Sequence, residues 1–167
     1  MSFDADALAA LKLGLLEAAR VELVGTTEGE PNRACSIPGN QIAWDDCECG
    51  QLTVHHTLLQ PFADFSATQK AAGLSTKCEM GWVVTLHLTI LRCAPDSGNE
   101  RPPTCASLGA AAAVQDEDAA AVLHGALCAL AGHQWRFGGQ VTVGAEGACS
   151  GTEASFLVVL PFCSEGC

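Results

Sequence analysis

The segment Trp82 to Arg92 constrains the fold more than any other part of this chain. Trp82, Val84, Leu86, Leu88 and Ile90 recur at every second position, with Thr85, His87 and Thr89 between them. A period of two marks an extended strand, whose successive side chains point to opposite faces. Apolar on one face and polar on the other, such a strand belongs to an antiparallel sheet with one side on a core. The polar side then meets water or a neighbour. Gln51 to Leu59 repeats the pattern: Leu52, Val54, His56 and Leu58 fall on one face, Thr53, His55 and Thr57 on the other.

A sheet with one apolar face needs a second layer, and the remaining sequence supplies helices for it. Residues 4–24 read as a helix. Asp4 and Asp6 lie in the first turn, and Leu8, Leu11, Leu15, Leu16 and Ala19 follow helical spacing. Thr26 to Asn40 is polar and turn-rich, with Pro31, Pro38 and Gly39. The 60–81 connection is long for a plain hairpin and reads as a candidate functional loop. Pro95, Gly98, Pro102 and Pro103 make 94–103 a loop that ends in a helix-start signal. Residues 104–131 read as helical in two pieces, broken near Gly109, with Gly132 as the stop. Two strands follow near 138–145 and 153–161, around the Gly-rich turn Ala145 to Gly151. The expected fold is one α+β domain over 1–167, in the order α-β-β-α-β-β. Its helices pack on one face of a mainly antiparallel sheet of four to five strands.

Composition limits the function. With 167 residues, 49% hydrophobic and 16% charged, the chain can bury one substantial core. It has no apolar run near the ~20 residues of a membrane helix, and no basic-then-apolar leader at its N-terminus, so cytoplasmic synthesis and folding are expected. Eight Lys+Arg against 19 Asp+Glu leave a net charge of -11. That is no basic face for gripping nucleic acid. An acidic wall instead repels phosphate and suits a conduit through which DNA slides.

The chemistry-bearing residues form no recognised catalytic pattern. There is no Gly-x-Ser-x-Gly, no Walker-type loop, no dinucleotide fingerprint and no His-Glu-x-x-His. Cys47-x-Cys49 is tighter than a zinc knuckle, and no second Cys or His pair answers it. His55 and His56 place their rings on opposite strand faces, poor geometry for one ion. Asp45 and Asp46 read as turn acids. His124 and Cys128, one helical turn apart, read as a packing pair rather than a ligand pair, and His133 as a helix-end residue. Neither an enzymatic role nor a cofactor or metal is expected. The better functional candidate is the polar row Thr53, His55, Thr57, Thr85, His87 and Thr89, as a ring-lumen or subunit-interface face.

Ten cysteines, at 35, 47, 49, 78, 93, 105, 128, 149, 163 and 167, are unusual without a secretion signal. A reducing cytoplasm favours thiols or metal, whereas a particle released from its cell could oxidise them.

Several segments together resemble the tail terminators of long-tailed actinobacteriophages, members of the head-to-tail connector class. The likeness begins at Cys35 and its following Pro-Gly and runs through Ala43-Trp44-Asp45-Asp46-Cys47 and Gly50-Gln51-Leu52. It continues in Ile90-Leu91-Arg92-Cys93-Ala94-Pro95, Arg101-Pro102-Pro103, the helix Gln115 to Leu130 and the Gly-Ala-Cys-Ser-Gly turn at 147–151. This covers most of the chain from about residue 34 onward. The resemblance implies a structural virion protein at the head–tail interface, assembled in the host cytoplasm. It would form a homo-hexameric ring on the tail tube, with the major tail protein below and the head–tail stopper or connector protein above. DNA would pass through without specific binding, and six copies would carry a formal charge of 6 × -11 = -66. In such a particle Cys35, Cys47, Cys49, Cys93, Cys105, Cys149, Cys163 and Cys167 are candidates for disulfide staples, each contributing about 2–4 kcal/mol, with pairing left open. Cys93 and Cys105 flank the proline-rich loop and could close it. The alternatives are another connector ring (stopper or adaptor) or, in a different class, a small zinc-binding or thiol-dependent module.

Overall fold

The computed structural model describes residues 3–39, 50–62, 81–95, 102–146 and 149–161. In chain order these form α1 (Ala5–Leu23), β1 (Arg33–Ser36), β2 (Gln51–Phe62), β3 (Gly81–Cys93), α2 (Cys105–Ala129), β4 (Gln134–Glu146) and β5 (Cys149–Pro161). The five strands make one sheet in the order β1-β2-β3-β5-β4. β1 pairs parallel to β2, and the other three pairings are antiparallel.

The fold is therefore α+β as expected, but the sheet is mixed and the element order over the described residues is α-β-β-β-α-β-β. The strand absent from the expected order is β1. Its sequence Arg33-Ala34-Cys35-Ser36 has no alternation and sits in a polar, turn-rich segment, so nothing local announces a strand. It extends because β2 offers an edge, with Arg33 opposite Gln51 and Ser36 opposite Val54. Tertiary pairing decides such a segment, since β-propensity is weak and context-dependent.

Both helices lie on one face of the sheet. Leu52 and Val54 of β2, Val84, Leu86, Leu88 and Ile90 of β3, and Ala154, Phe156 and Val158 of β5 form a continuous buried surface. Leu8, Leu11, Leu15, Leu16, Ala19 and Leu23 of α1 cover it, with Val122 and Ala126 of α2 and Leu130 at that helix's end. Asp4 caps α1, accepting a hydrogen bond from the Ala7 N–H at 2.9 Å, and so stands just outside the first turn. Thr104 caps α2 through the Ser107 N–H at 3.1 Å. α2 is continuous through Gly109, where a break was expected. One exposed glycine costs a helix only about 1 kcal/mol against alanine, and Gly109 sits among alanines.

The helices approach closely where Gly125 meets α1. A Cβ at Gly125 would lie 2.6 Å from the Ala18 carbonyl oxygen, so only glycine fits without moving the helices apart. Near that layer a buried ion pair ties three elements together. Arg92 at the end of β3 donates to both Asp118 carboxylate oxygens, Nε at 2.7 Å and Nη2 at 3.1 Å, and Nη2 also donates to the Gly29 carbonyl at 2.7 Å. The Thr26 hydroxyl completes the set by donating to Asp118 at 3.2 Å. A forked guanidinium–carboxylate contact of this kind fixes geometry as well as charge.

Candidate functional site

The polar row spans the sheet face opposite the helices. Register aligns it: Thr53 faces Thr89, and His55 faces His87 across β2 and β3. On the far side of β3, Thr89 faces Glu153, His87 faces Ser155 and Thr85 faces Leu157 of β5. Strand alternation thus brings the six expected residues together, and it adds Glu153, which the sequence reading did not single out. Nothing local marks Glu153 as a partner, because it is 66 residues from His87 along the chain. Only the β3–β5 register joins them.

The row is not uniformly open. Thr53, His55 and Thr89 are buried, His87 and Thr85 are half-buried, and Thr57 is exposed. As a lumen or interface face it therefore offers Thr57, Thr85 and His87, while the other three are enclosed by their own chain. The expected alternation also breaks at Thr57. A β-bulge between His56 and Leu58 puts Leu58 opposite Thr85, on the polar face, and Leu59 opposite Val84. Leu59 accordingly packs against the core.

Within the row the contacts are specific. Glu153 Oε1 lies 2.8 Å from His87 Nδ1, and the Thr89 hydroxyl donates to Glu153 Oε2 at 3.1 Å. His87 Nε2 lies 2.9 Å from the Thr57 hydroxyl. The hydrogen bond from His87 holds the Glu153 carboxyl below the usual carboxylate range, against the opposing effect of burial. An ionised carboxylate only accepts, so His87 Nδ1 is the donor, and in the neutral ring Nε2 accepts from Thr57. His55 stacks on His87 with ring centroids 4.8 Å apart and planes 5° from parallel. Burial, and then the neighbouring His87, push the His55 pKa down, so its neutral form is favoured. Its Nδ1 is buried without a hydrogen-bond partner.

His56 points the other way, as expected. It lies opposite Leu86 on the helix side, where Lys12 Nζ of α1 donates to its Nδ1 at 2.9 Å. Burial lowers the pKa of both groups. No family of known proteins matches this chain, and no curated protein is similar to it at a significant level.

The remaining candidates fall as follows. Cys149 is disulfide-bonded. Cys35, Cys105 and Cys128 are free thiols, so no Cys93–Cys105 bridge closes the proline-rich loop. Cys93 lies directly opposite Cys149 in the β3–β5 ladder. Trp44, Asp45, Asp46, Cys47, Cys49, Cys78, Cys163 and Cys167 lie outside the described residues. His124 contacts Glu22 of α1 at 2.9 Å, a helix-to-helix contact rather than a ligand pair with Cys128. A cleft of about 250 Å³ lies beside Arg92, Gln115 and Ser150. Its guanidinium is already engaged by Asp118, and the Gln115 amide donates to the Ser150 hydroxyl at 2.7 Å.

Proposed function

We propose that this chain is a tail terminator, a structural virion protein of a long-tailed phage. It closes as a hexameric ring on the head-proximal end of the tail tube, ends tube polymerisation and joins the tail to the head connector around an open DNA channel. The observation that carries a ring role is a set of exposed apolar side chains on each of two opposite sides of the molecule. On the outer side of α1, Leu13, Val21 and Val24 are 60%, 61% and 64% exposed, with the Glu17–Arg20 ion pair on the same stripe. On the sheet face away from the helices, Val141 of β4 and Leu157 of β5 are exposed as well. A closed ring needs heterologous contacts, in which one surface of each subunit meets a different surface of the next.

The charge of the chain supports the same reading. A chain of net charge -11 lines a channel that DNA crosses without sticking. The polar row holds two imidazoles, a carboxylate and hydroxyls, and within it Thr57, His87 and Glu153 stand in hydroxyl–imidazole–carboxylate order at 2.9 and 2.8 Å. Two helices layered on an open sheet also favour the terminator over the stopper level, because stoppers tend to be small β-barrels. Partners on this reading are the major tail protein below and the stopper or connector protein above.

Loss of the chain tests the proposal. Infections lacking it are expected to yield tail tubes of uncontrolled length without attached heads, and supplying the wild-type chain restores joined particles. Tails of normal length, joined to heads in its absence, would overturn the reading.

A further inference from the structure

We propose that His55, His87 and Glu153 form a binding site for one zinc ion, or a chemically similar first-row divalent cation, on the sheet face opposite the helices. This goes beyond the ring reading and does not depend on it, since the site lies within one chain. One ligand atom from each of the three residues lies within 4.8 Å of the others. They come from three adjacent strands, β2, β3 and β5, so the ladder itself sets their spacing. A tetrahedral ion with bonds of about 2.0–2.2 Å brings such atoms closer together, and this is a short contraction for side chains on a fixed sheet.

The second observation is independent of that clustering. His55 is only 2% exposed, yet its Nδ1 has no hydrogen-bond partner. A buried polar atom left unpaired is unusual and calls for an explanation such as an ion. The Thr53 hydroxyl, on the same face two residues earlier, is likewise buried and unpaired. Two imidazoles and a carboxylate are a zinc donor set with a fourth position open to water, whereas magnesium and calcium prefer oxygen ligands. The Thr89 hydroxyl already orients Glu153 at 3.1 Å, as outer-shell donors orient metal-bound carboxylates.

The geometry also states what must move. The two imidazole planes lie 5° from parallel, and a ring nitrogen's lone pair lies in its ring plane. Sharing an ion therefore turns one ring about its Cβ–Cγ bond. His87 is the ring that turns, because it is half-buried while His55 is enclosed. Its contacts to Thr57 and Glu153 are then exchanged for the metal bond. The bound ion would cross-link the three central strands of the sheet.

Cobalt(II) is the probe, because its spectrum separates nitrogen and oxygen ligands from thiolate. The full chain is treated with chelator, its free thiols are alkylated with disulfides intact, and cobalt chloride is titrated in. One equivalent should bind with the visible bands of a four-coordinate nitrogen/oxygen site, without thiolate charge transfer, and zinc chloride should displace it. Glu153→Gln and His87→Gln should each weaken binding more than about 100-fold, beyond the ~10–100-fold typical of losing an outer-shell partner. A measurement free of substitutions accompanies this: on the unmodified chain, zinc should shift the ring-nitrogen resonances of His55 and His87 but not of His133. No stoichiometric binding after alkylation, a thiolate spectrum, or unmoved His55 and His87 resonances would each overturn the proposal.

Discussion

Arg92 and Asp118 show how much of this fold rests on single side chains. Their forked contact is buried on both sides, with side-chain exposures of 8% and 1%, and draws in Thr26 and Gly29 from the segment after α1. Removing one partner strands a buried charge, so Asp118→Ala is expected to cost about 3–5 kcal/mol in urea unfolding. The paired change Arg92→Met with Asp118→Leu should cost clearly less, because apolar replacement of a buried ion pair is often near neutral. A double variant as damaged as the single one would contradict this. The polar row makes stability depend on pH. A histidine whose folded pKa lies below its unfolded value of about 6.5 stabilises the fold above that pH and loses the contribution on acidification. Burial places His55 and His56 in this class. Glu153, also depressed, adds a second loss as pH falls below about 4.3. Unfolding free energy should therefore decline from about pH 6.5 downward, and Glu153→Gln should flatten the lower part of the curve. A wild-type curve flat from neutrality to mild acid would contradict the His55 environment described above. The six residues of the row could be read in sequence because alternation fixes which face each occupies. Glu153 and the Arg92–Asp118 pair could not, since their partners are set by register and packing between segments 26 to 66 residues apart.

At the scale of elements, two glycines in α2 make opposite predictions. A Cβ at Gly125 would lie 2.6 Å from the Ala18 oxygen and 2.8 Å from the Ala19 Cα, both backbone atoms of α1. Gly125→Ala should therefore force the helices apart and lower stability by about 1–3 kcal/mol, despite alanine's higher helix propensity. At Gly109 a Cβ meets nothing within 4 Å, so Gly109→Ala should raise stability by about 0.4–1 kcal/mol. Thermal unfolding of the two variants checks both signs. Elements with strong periodicity were legible almost to their ends: α1 spans Ala5–Leu23 against an expected 4–24, and β3 spans Gly81–Cys93 against 82–92. β4 was expected from 138, at the Gly138-Gly139 pair, but begins at Gln134. Trp135 and Phe137 extend it by packing on Phe156, with ring centroids 6.3 Å and 5.6 Å away, and a bulge between Phe137 and Gly139 absorbs the glycines. β1 was not legible because its four residues carry no pattern of their own.

At the scale of the whole molecule, the described residues expose apolar side chains both on the outer side of α1 and on the sheet face away from the helices, in a strongly acidic chain. In the proposed ring these two sides would meet each other, so a charge on either should break assembly while leaving the subunit folded. Val21→Glu and Val141→Glu are exposed changes, each expected to alter unfolding free energy by no more than about 0.5 kcal/mol. Both should nonetheless abolish complementation of terminator-deficient infections. Full complementation by both would remove the observation on which the ring reading stands. The central claim is tested most directly by cryo-electron microscopy of the head–tail junction of virions carrying this chain. A six-fold ring of this fold capping the last ring of the tail tube, with the α1 surface of each subunit against the β4–β5 surface of the next, is the expected result. The absence of the chain from that junction, or its presence there in a symmetry other than six-fold, would contradict it.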